Sequence, residues 1–445
     1  MLTTLRNAWK IPELKRKLLF TLFILVIYRL GAAIQIPYIN HSALESWKAS
    51  ASGSIFEYLN IISGDAFSKA TLFALSISPY ITASIVIQLL CVAIPALERL
   101  SKNGEEGRKV INNITRYVTV GLALLTSFGY YMLMKNTYQV VTTEGKTFFG
   151  GLVMVACYCA GAALIMWLAE KINEYGIGNG ISIILFVNII SSIPGMVQEG
   201  VINNVSAAIA NIQDGSVVKG IFTIFCVLVG IVAVLAIVAF VVFITNSERR
   251  LPVQYAKRVV GRKMYGGQNT NLPIKLNMSG VMPIIFASSI CSLPATIIQF
   301  IDATPDEGTF LHSLQSVFST ESWVYAVVYL ILIILFAYFY IAISFNPIEV
   351  ANNLQKNGGS IMGIRPGKPT SDFIQKVLNK ITLIGALFLG FIAVFPLIIN
   401  IITDGALGSI AFSGNSLLIV VGVAIETARE LEAQMTMRHY KGFLE

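Results

Sequence analysis

Charge is scarce in this sequence. Asp, Glu, Lys and Arg make up 13% of its 445 residues, about half the ~25% usual in soluble domains. That excludes an ordinary water-facing shell around one core. Histidine occurs three times and cysteine five. His41, His312 and His439 lie outside the apolar stretches. Cys91, Cys157, Cys159, Cys226 and Cys291 lie inside them, where a thiol behaves as a small hydrophobe, so no disulfide framework is expected. Cys157 and Cys159 stand two apart and point to different faces of a helix, which makes a poor metal pair. No Gly-rich loop followed by Lys and Ser or Thr is present to cradle a nucleotide phosphate. No catalytic residue, metal or cofactor is expected.

Apolar residues are what the chain has in excess, at 55% hydrophobic and a mean hydropathy of +0.71. Stretches near or above the ~18 apolar residues of a membrane-spanning helix recur along its length. The expected spans are Leu18 to Ile36, Phe73 to Ile94, Tyr117 to Met134, Phe148 to Leu168 and Ile181 to Ile193, then Val217 to Thr245, Leu276 to Phe300, Trp323 to Phe345, Val377 to Ile402 and Ser416 to Ala428. The fifth and tenth are short. LKRK ahead of an apolar run ending in Gly31, Ala32 and Ala33 has the outline of a cleavable leader, but Arg29 interrupts its core and the first span is expected to be retained.

Basic residues near span ends hold a loop in the cytoplasm. Arg6, Lys10, Lys15, Arg16 and Lys17 place the N-terminus inside, and Arg438 and Lys441 place the C-terminus there. The segment SERRLPVQYAKRVVGRKMYGGQNTNLPIK, Ser247 to Lys275, holds seven Lys or Arg residues and one acid, Glu248, a balance suited to phosphates or carboxylates. Within the spans, ionisable residues are few. Arg29 is the main exception, either snorkelling or pairing with a neighbour, or taking part in transport directly. Gly53 to Phe73 is too polar to span, and its Phe56, Leu59, Ile62 and Phe67 recur at near-helical spacing. It is expected to be a short amphipathic helix, lying on the outer leaflet or folded back among the spans.

The fragments ELKRKLLF, FALSISPYITASIVIQLL, EYGIGNGISIILF, QYAKRVVGRKMYGGQNTNLPIKLNMSGVMPIIFASSI, FNPIEVANNLQKNGG, GIRPGKPT and SLLIVV, in this order, together resemble the SecY family of protein-conducting channels. The resemblance implies an all-α polytopic membrane protein with ten transmembrane helices in two inverted, pseudosymmetric halves of five. The halves would be residues 1–195 and 196–445. It implies a pore ring of Ile77, Ile81, Ile181, Leu185, Ile285 and Ile419, with Leu185 where isoleucine is more usual. Breaks at Ile77 to Pro79 and Gly176 to Gly180 suit helices that line a cavity.

The resemblance further implies an external plug at about 54–70, including Phe56, Glu57, Leu59, Ile62, Gly64 and Phe67. A lateral gate would lie between the second and seventh spans, with Thr82, Gln88, Ser288 and Ser289 as polar contacts. Two cytosolic docking loops, about 246–275 and 346–376, would present Arg249, Arg250, Lys257, Arg258 and Arg365. The implied partners are the small subunits SecE and SecG, the motor ATPase SecA, the ribosome through its RNA and proteins, signal peptides, translocating chains and the lipid of the cell membrane. The implied activity is passive conduction of unfolded polypeptide, not catalysis. A secondary transporter for a small solute also fits ten spans, but coupled carriers place ionisable groups near the midplane and this chain offers almost none.

Overall fold

The structure is a computed structural model, and it describes residues 6–40, 43–44, 60–136, 139–198, 202, 205–206, 208–209, 217–255, 258–260, 263–265, 269–301, 310–318, 322–402 and 408–441. The first group of helices is α1 (Pro12–Ala33), α2 (Ser78–Ala93), α3 (Pro95–Lys102), α4 (Gly104–Asn136), α5 (Phe148–Tyr175) and α6 (Gly180–Val197). After α7 (Val217–Asn246) come four strands, β1 (Glu248–Tyr255), β2 (Arg258–Val260), β3 (Lys263–Tyr265) and β4 (Asn269–Lys275). The remainder is α8 (Met282–Ile301), α9 (Phe310–Val317), α10 (Trp323–Ser344), α11 (Pro347–Lys356), β5 (Gly359–Ile361), α12 (Lys368–Ile402) and α13 (Gly408–Lys441).

Every expected span falls on a helix, yet length and composition alone qualify fewer. Among the described residues five helical stretches suffice to cross a bilayer: α4, α5, Thr223–Asn246 of α7, Trp323–Lys356, and Lys368–Ile398 of α12. Counting α2 and α3 as one broken span makes six, and these two helices meet at 107°. The bend falls where the second expected span ends, at Ile94, while the helix starts later than expected, at Ser78 rather than Phe73. Ile94 precedes Pro95 and adopts extended backbone (φ -107, ψ 114), because a following proline ring crowds the helical conformation.

Polar residues start the helices where the chain re-enters. Thr147 Oγ1 accepts from Gly150 N at 3.2 Å to cap α5, and Asn179 Oδ1 accepts from Ile181 N at 3.0 Å to cap α6. Ser322 caps α10 and Asn346 caps α11 in the same way. Each satisfies an amide that the first turn leaves unpaired. The expected break between Gly176 and Gly180 is present as a turn from α5 to α6, with Gly178 at φ +81, a left-handed conformation that favours glycine.

Neighbouring helices within each group pack in chain order. In the first, α1 packs on α5, α2 on α4, α4 on α5 and α5 on α6; in the second, α8 packs on α10, α10 on α12 and α12 on α13, with α7 beside α13. The two groups meet where α8 touches α2 and α4, and where α6 touches α13. The outer faces are apolar: Phe148 is 90% exposed, Phe243 71% and Leu125 68%. Water would not tolerate so continuous an apolar surface; lipid does, and the chain is a multi-pass membrane protein.

The expected all-α fold needs a correction. A three-stranded sheet of order β4-β1-β5 and a two-stranded β2-β3 hairpin stand outside the helices. Strand β1 alternates outward Arg250 and Pro252 with buried Leu251 and Val253, a period of two that suits one face packed and one wet. Leu251, Val253, Ile274 and Ile361 close over Ile374, Leu378 and Ile381 of α12 in a core of their own. The start of α1 and the end of α13 lie on the same side of the molecule as the sheet: Leu14 packs with Leu431, and Arg429 reaches the end of α7 next to β1.

Candidate functional site

The six expected ring residues are all buried and belong to one contiguous apolar core that both helix groups build. Ile77 stands at the N-cap of α2 and Ile81 one turn inside it, while Ile181 and Leu185 occupy the first turns of α6. Ile285 lies in the first turn of α8, and Ile419 lies on α13. A cavity of about 110 Å³ sits here, and four of the six, Ile81, Leu185, Ile285 and Ile419, line it. Ile77 and Ile181 pack in the same core beside it. The six branched aliphatic side chains carry no polar group of their own, although serine and threonine hydroxyls share the cavity wall.

Two of the expected plug residues, Ile62 and Phe67, line the same cavity. Phe56, Glu57 and Leu59 lie outside the described residues. The described part of the expected amphipathic helix is one helical turn at 60–63, followed by tight turns to residue 77. Those turns are held by the segment's own polar side chains. Asn60 Nδ2 donates to Asp65 Oδ1 at 3.0 Å, Ser68 N donates to Asn60 Oδ1 at 3.1 Å, and Phe67 N donates to Ser63 Oγ at 3.0 Å. Its described residues 60–73 sit among the helices, with Ile61, Ala66, Phe67 and Phe73 buried, the second of the two placements the segment's polarity allowed.

Of the four expected gate residues, three converge. Thr82 of α2 and Ser288 and Ser289 of α8 line the cavity, together with Thr126 of α4. Ser288 Oγ and Ser289 Oγ donate to the carbonyl of Ile285 at 3.0 and 2.8 Å. Their protons are thus used within their own helix, and the two hydroxyl oxygens remain as acceptors. Gln88 is elsewhere. It donates to Ser84 Oγ at 3.1 Å and lines a separate, polar cavity of about 1040 Å³ on the sheet side, between α2 to α4 and α10 to α12.

Three of the docking candidates, Arg249, Arg250 and Arg365, lie on or beside one sheet. Arg249 and Arg250 are exposed on β1, and Arg250 Nε donates to Glu248 Oε1 at 2.8 Å. Strand β5 pairs antiparallel with β1, Val253 opposite Ile361, so the loop that carries exposed Arg365 is stitched to the loop that carries Arg249 and Arg250. Arg258 faces Tyr265 in the β2-β3 register, and Lys257 lies outside the described residues. At the foot of this platform burial, then the Arg429 guanidinium, hold the Lys275 ammonium below its ordinary pKa. Arg429 Nη2 donates at 2.8 Å to the carbonyl of Thr245 and to Asn246 Oδ1, capping the C-terminal end of α7.

Three residues that reach the expected plug segment were not singled out from the sequence for that role. Asn188 on α6 donates from Nδ2 to the carbonyl of Ile62 at 2.8 Å, Tyr130 on α4 donates to the carbonyl of Phe67 at 2.6 Å, and Arg29 on α1 donates from Nη1 to the carbonyl of Gly64 at 3.3 Å. The signal for Asn188 was present, a lone amide in an otherwise aliphatic run, ISIILFVNII, where polar groups are costly unless they find a partner.

Comparison with known proteins agrees on one family. The SecY family model matches residues 71–428. The chain is 43% identical to the protein translocase subunit SecY of Streptomyces coelicolor, over 100% of both chains. In fold it is similar to a SecY translocation channel whose plug domain stabilises the closed state and maintains a membrane seal, with a TM-score of 0.66, 18% identity and coverage of 95% of this chain and 92% of the other. It is also similar to Sec61 in the canine ribosome-channel complex from the endoplasmic reticulum, with a TM-score of 0.64, 18% identity and the same coverage.

Proposed function

The chain belongs to the SecY family, and we propose that it is the protein-conducting channel of a bacterial translocase, passing unfolded secretory polypeptides across the cell membrane and releasing membrane segments sideways into lipid. The observation that carries this reading is the convergence of ring, plug and gate residues from both helix groups on one cavity. The cavity wall offers hydroxyls and aliphatic groups, a lining that can deform around any extended chain and selects none by hydrogen bonding.

In this reading residues 1–195 and 196–445 form two inverted halves of five spans each, and Ile77, Ile81, Ile181, Leu185, Ile285 and Ile419 form the gasket between them. The segment about 54–70 blocks the gasket from outside. Thr82, Ser288 and Ser289 border the lateral gate, whose α2–α8 and α4–α8 contacts are where the halves meet. Gln88 belongs to the inner vestibule instead, because it lines the polar cavity on the sheet side. Both termini and the sheet are cytosolic, as their basic residues require.

The channel has no chemistry of its own, so a partner supplies the work. The β1–β5 platform with Arg249, Arg250 and Arg365, together with Lys257 and Arg258 of the same loop, receives either the motor ATPase SecA or the ribosome, and the small subunits SecE and SecG complete the complex. A guanidinium makes bidentate contacts with phosphate and carboxylate alike, which fits ribosomal RNA and an acidic protein face. The similarity to Sec61 in a ribosome-channel complex supports the ribosomal arm.

The test is reconstitution with SecE, SecG and SecA in vesicles. A secretory precursor becomes protected from protease in the presence of ATP. Failure of protection, with uptake of a small solute instead, overturns this function in favour of a transporter.

A further inference from the structure

The plug is gripped by its main chain. Arg29 Nη1 on α1 donates to the carbonyl of Gly64, Asn188 Nδ2 on α6 donates to the carbonyl of Ile62 and to Ser76 Oγ at 3.2 Å, and Tyr130 on α4 donates to the carbonyl of Phe67. Ser76 Oγ in turn donates to the carbonyl of Ile62 at 3.3 Å, so Asn188 and Ser76 converge on one oxygen. These donors all belong to the first half. Across the cavity the second half supplies the aliphatic side chains of Ile285, Leu293 and Ile419 and the hydroxyls of Ser288, Ser289, Ser292 and Thr296, whose protons all go to carbonyls of their own helix.

The grip is also close. Gly64 has φ +66, and a Cβ placed there would stand 2.7 Å from Ser191 Oγ, 3.0 Å from Arg29 Nη1 and 3.1 Å from the Asn188 Cα. Only a residue without a side chain lets the plug backbone sit against α6 and Arg29 at once. Directed hydrogen bonds lock position, whereas aliphatic contact slides. The plug is therefore fixed to one half and merely rests against the other.

We propose that Arg29 and Asn188 are positioning residues that latch the plug to the first half, so that parting of α2 and α4 from α8 and release of the plug are separate steps. The proposal rests on the reading of this chain as a gated conduit and adds the order of its movements: the halves can separate with the plug still riding on the first, and release follows only when the Asn188 and Arg29 bonds break.

The experiment uses the full chain with its small subunits in vesicles, in a background where the five native cysteines are replaced by serine or alanine. Ser68 is buried, at 6% exposure, and Ser68→Cys reports plug release through its reaction with a membrane-impermeant maleimide added outside. Spin labels at positions 82 and 289, in a parallel preparation, report the distance between α2 and α8. Arg29→Met with Asn188→Leu should speed labelling about tenfold, the factor expected for losing bonds of ordinary strength, with the 82–289 distance unchanged. Arg29→Lys, which keeps a donor, should return labelling close to the parental rate in the single-site series. Should the double variant fail to fold, Arg29→Met and Asn188→Leu alone should each give roughly a threefold rise. Labelling equal to the parent overturns the latch, and labelling that rises only together with the 82–289 distance overturns the separation of steps. Precursor protection by the parent is measured in the same vesicles, so a parent that protects nothing overturns the conduit while the labelling still decides the latch.

Discussion

Val253 and Ile361 lie opposite each other in an antiparallel ladder although they come from two different loops, one after α7 and the other after α11. Both are nearly sealed from solvent, at 2% and 4% exposure, so the pair is a structural rivet between the surfaces that carry the docking arginines. Val253→Asp should bury an unpaired carboxylate and cost about 3 kcal/mol of local stability. Limited proteolysis should cut both loops faster, and binding of SecA and of ribosomes should fall together.

Charge reversal tests the platform without disturbing the rivet. Arg258→Glu with Arg365→Glu should place carboxylates opposite phosphate or acidic protein and abolish docking, with the helical content intact by circular dichroism. Sedimentation with ribosomes and a SecA ATPase assay are the measurements, and the residual affinity should rise with salt as repulsion is screened. Unchanged binding of both partners would refute the docking role.

The proposed seal depends on aliphatic bulk. Ile81→Gly with Ile285→Gly removes two side chains that line the central cavity and are 3% and 2% exposed. Single-channel recording should show ion leak at least ~10-fold above the parent, because the widened constriction no longer dewets. An unchanged conductance counts against the gasket.

Gly64 offers an independent probe of the plug. Gly64→Ala must hold alanine at φ +66 and fit its methyl near Ser191 and Asn188, at a cost of about 1–2 kcal/mol. Since the strain is relieved when the plug leaves, the variant should open more readily and export precursors with defective signal peptides, scored as secreted reporter activity.

Arg429 links the last helix to the foot of the platform. Arg429→Met removes its bonds to Thr245 and Asn246 and leaves carbonyls at the end of α7 without that partner, a loss of about 1–2 kcal/mol. Hydrogen exchange should accelerate at the last turn of α7 and the first residues of β1, while α4 and α5 stay as slow as in the parent.

Much of the architecture was legible because lipid imposes one strong rule: a long apolar run must be a helix that satisfies its own backbone. The cores of α4, α5, α7 and α10 follow from it directly. The ends were less visible. Helix α4 starts at Gly104, well before Tyr117, because past the lipid a helix no longer has to be apolar. The sheet escaped notice since β1 carries charges and β1 and β4 each hold a proline that read as loop, β5 is only three residues long, and its pairing with β1 joins distant parts of the chain. At the site, the ring and gate positions came from resemblance alone, and Gln88 lies apart from the other gate positions because its face of α2 turns toward the sheet-side cavity. Arg29 was conspicuous, but that its target is a carbonyl of the plug could be learned only from three dimensions.

The kink between α2 and α3 has a mechanical consequence for the bilayer. At 16 residues α2 rises only about 24 Å, less than the ~30 Å of hydrocarbon beside it. Such a mismatch is met by thinning the bilayer or by flanking polar side chains reaching for the interface, and either shortens the apolar path beside the seam where α2 meets α8. In the proposed channel, a segment leaving sideways there would cross less than the full depth of hydrocarbon, and the polar residues flanking it would stay hydrated for more of the journey.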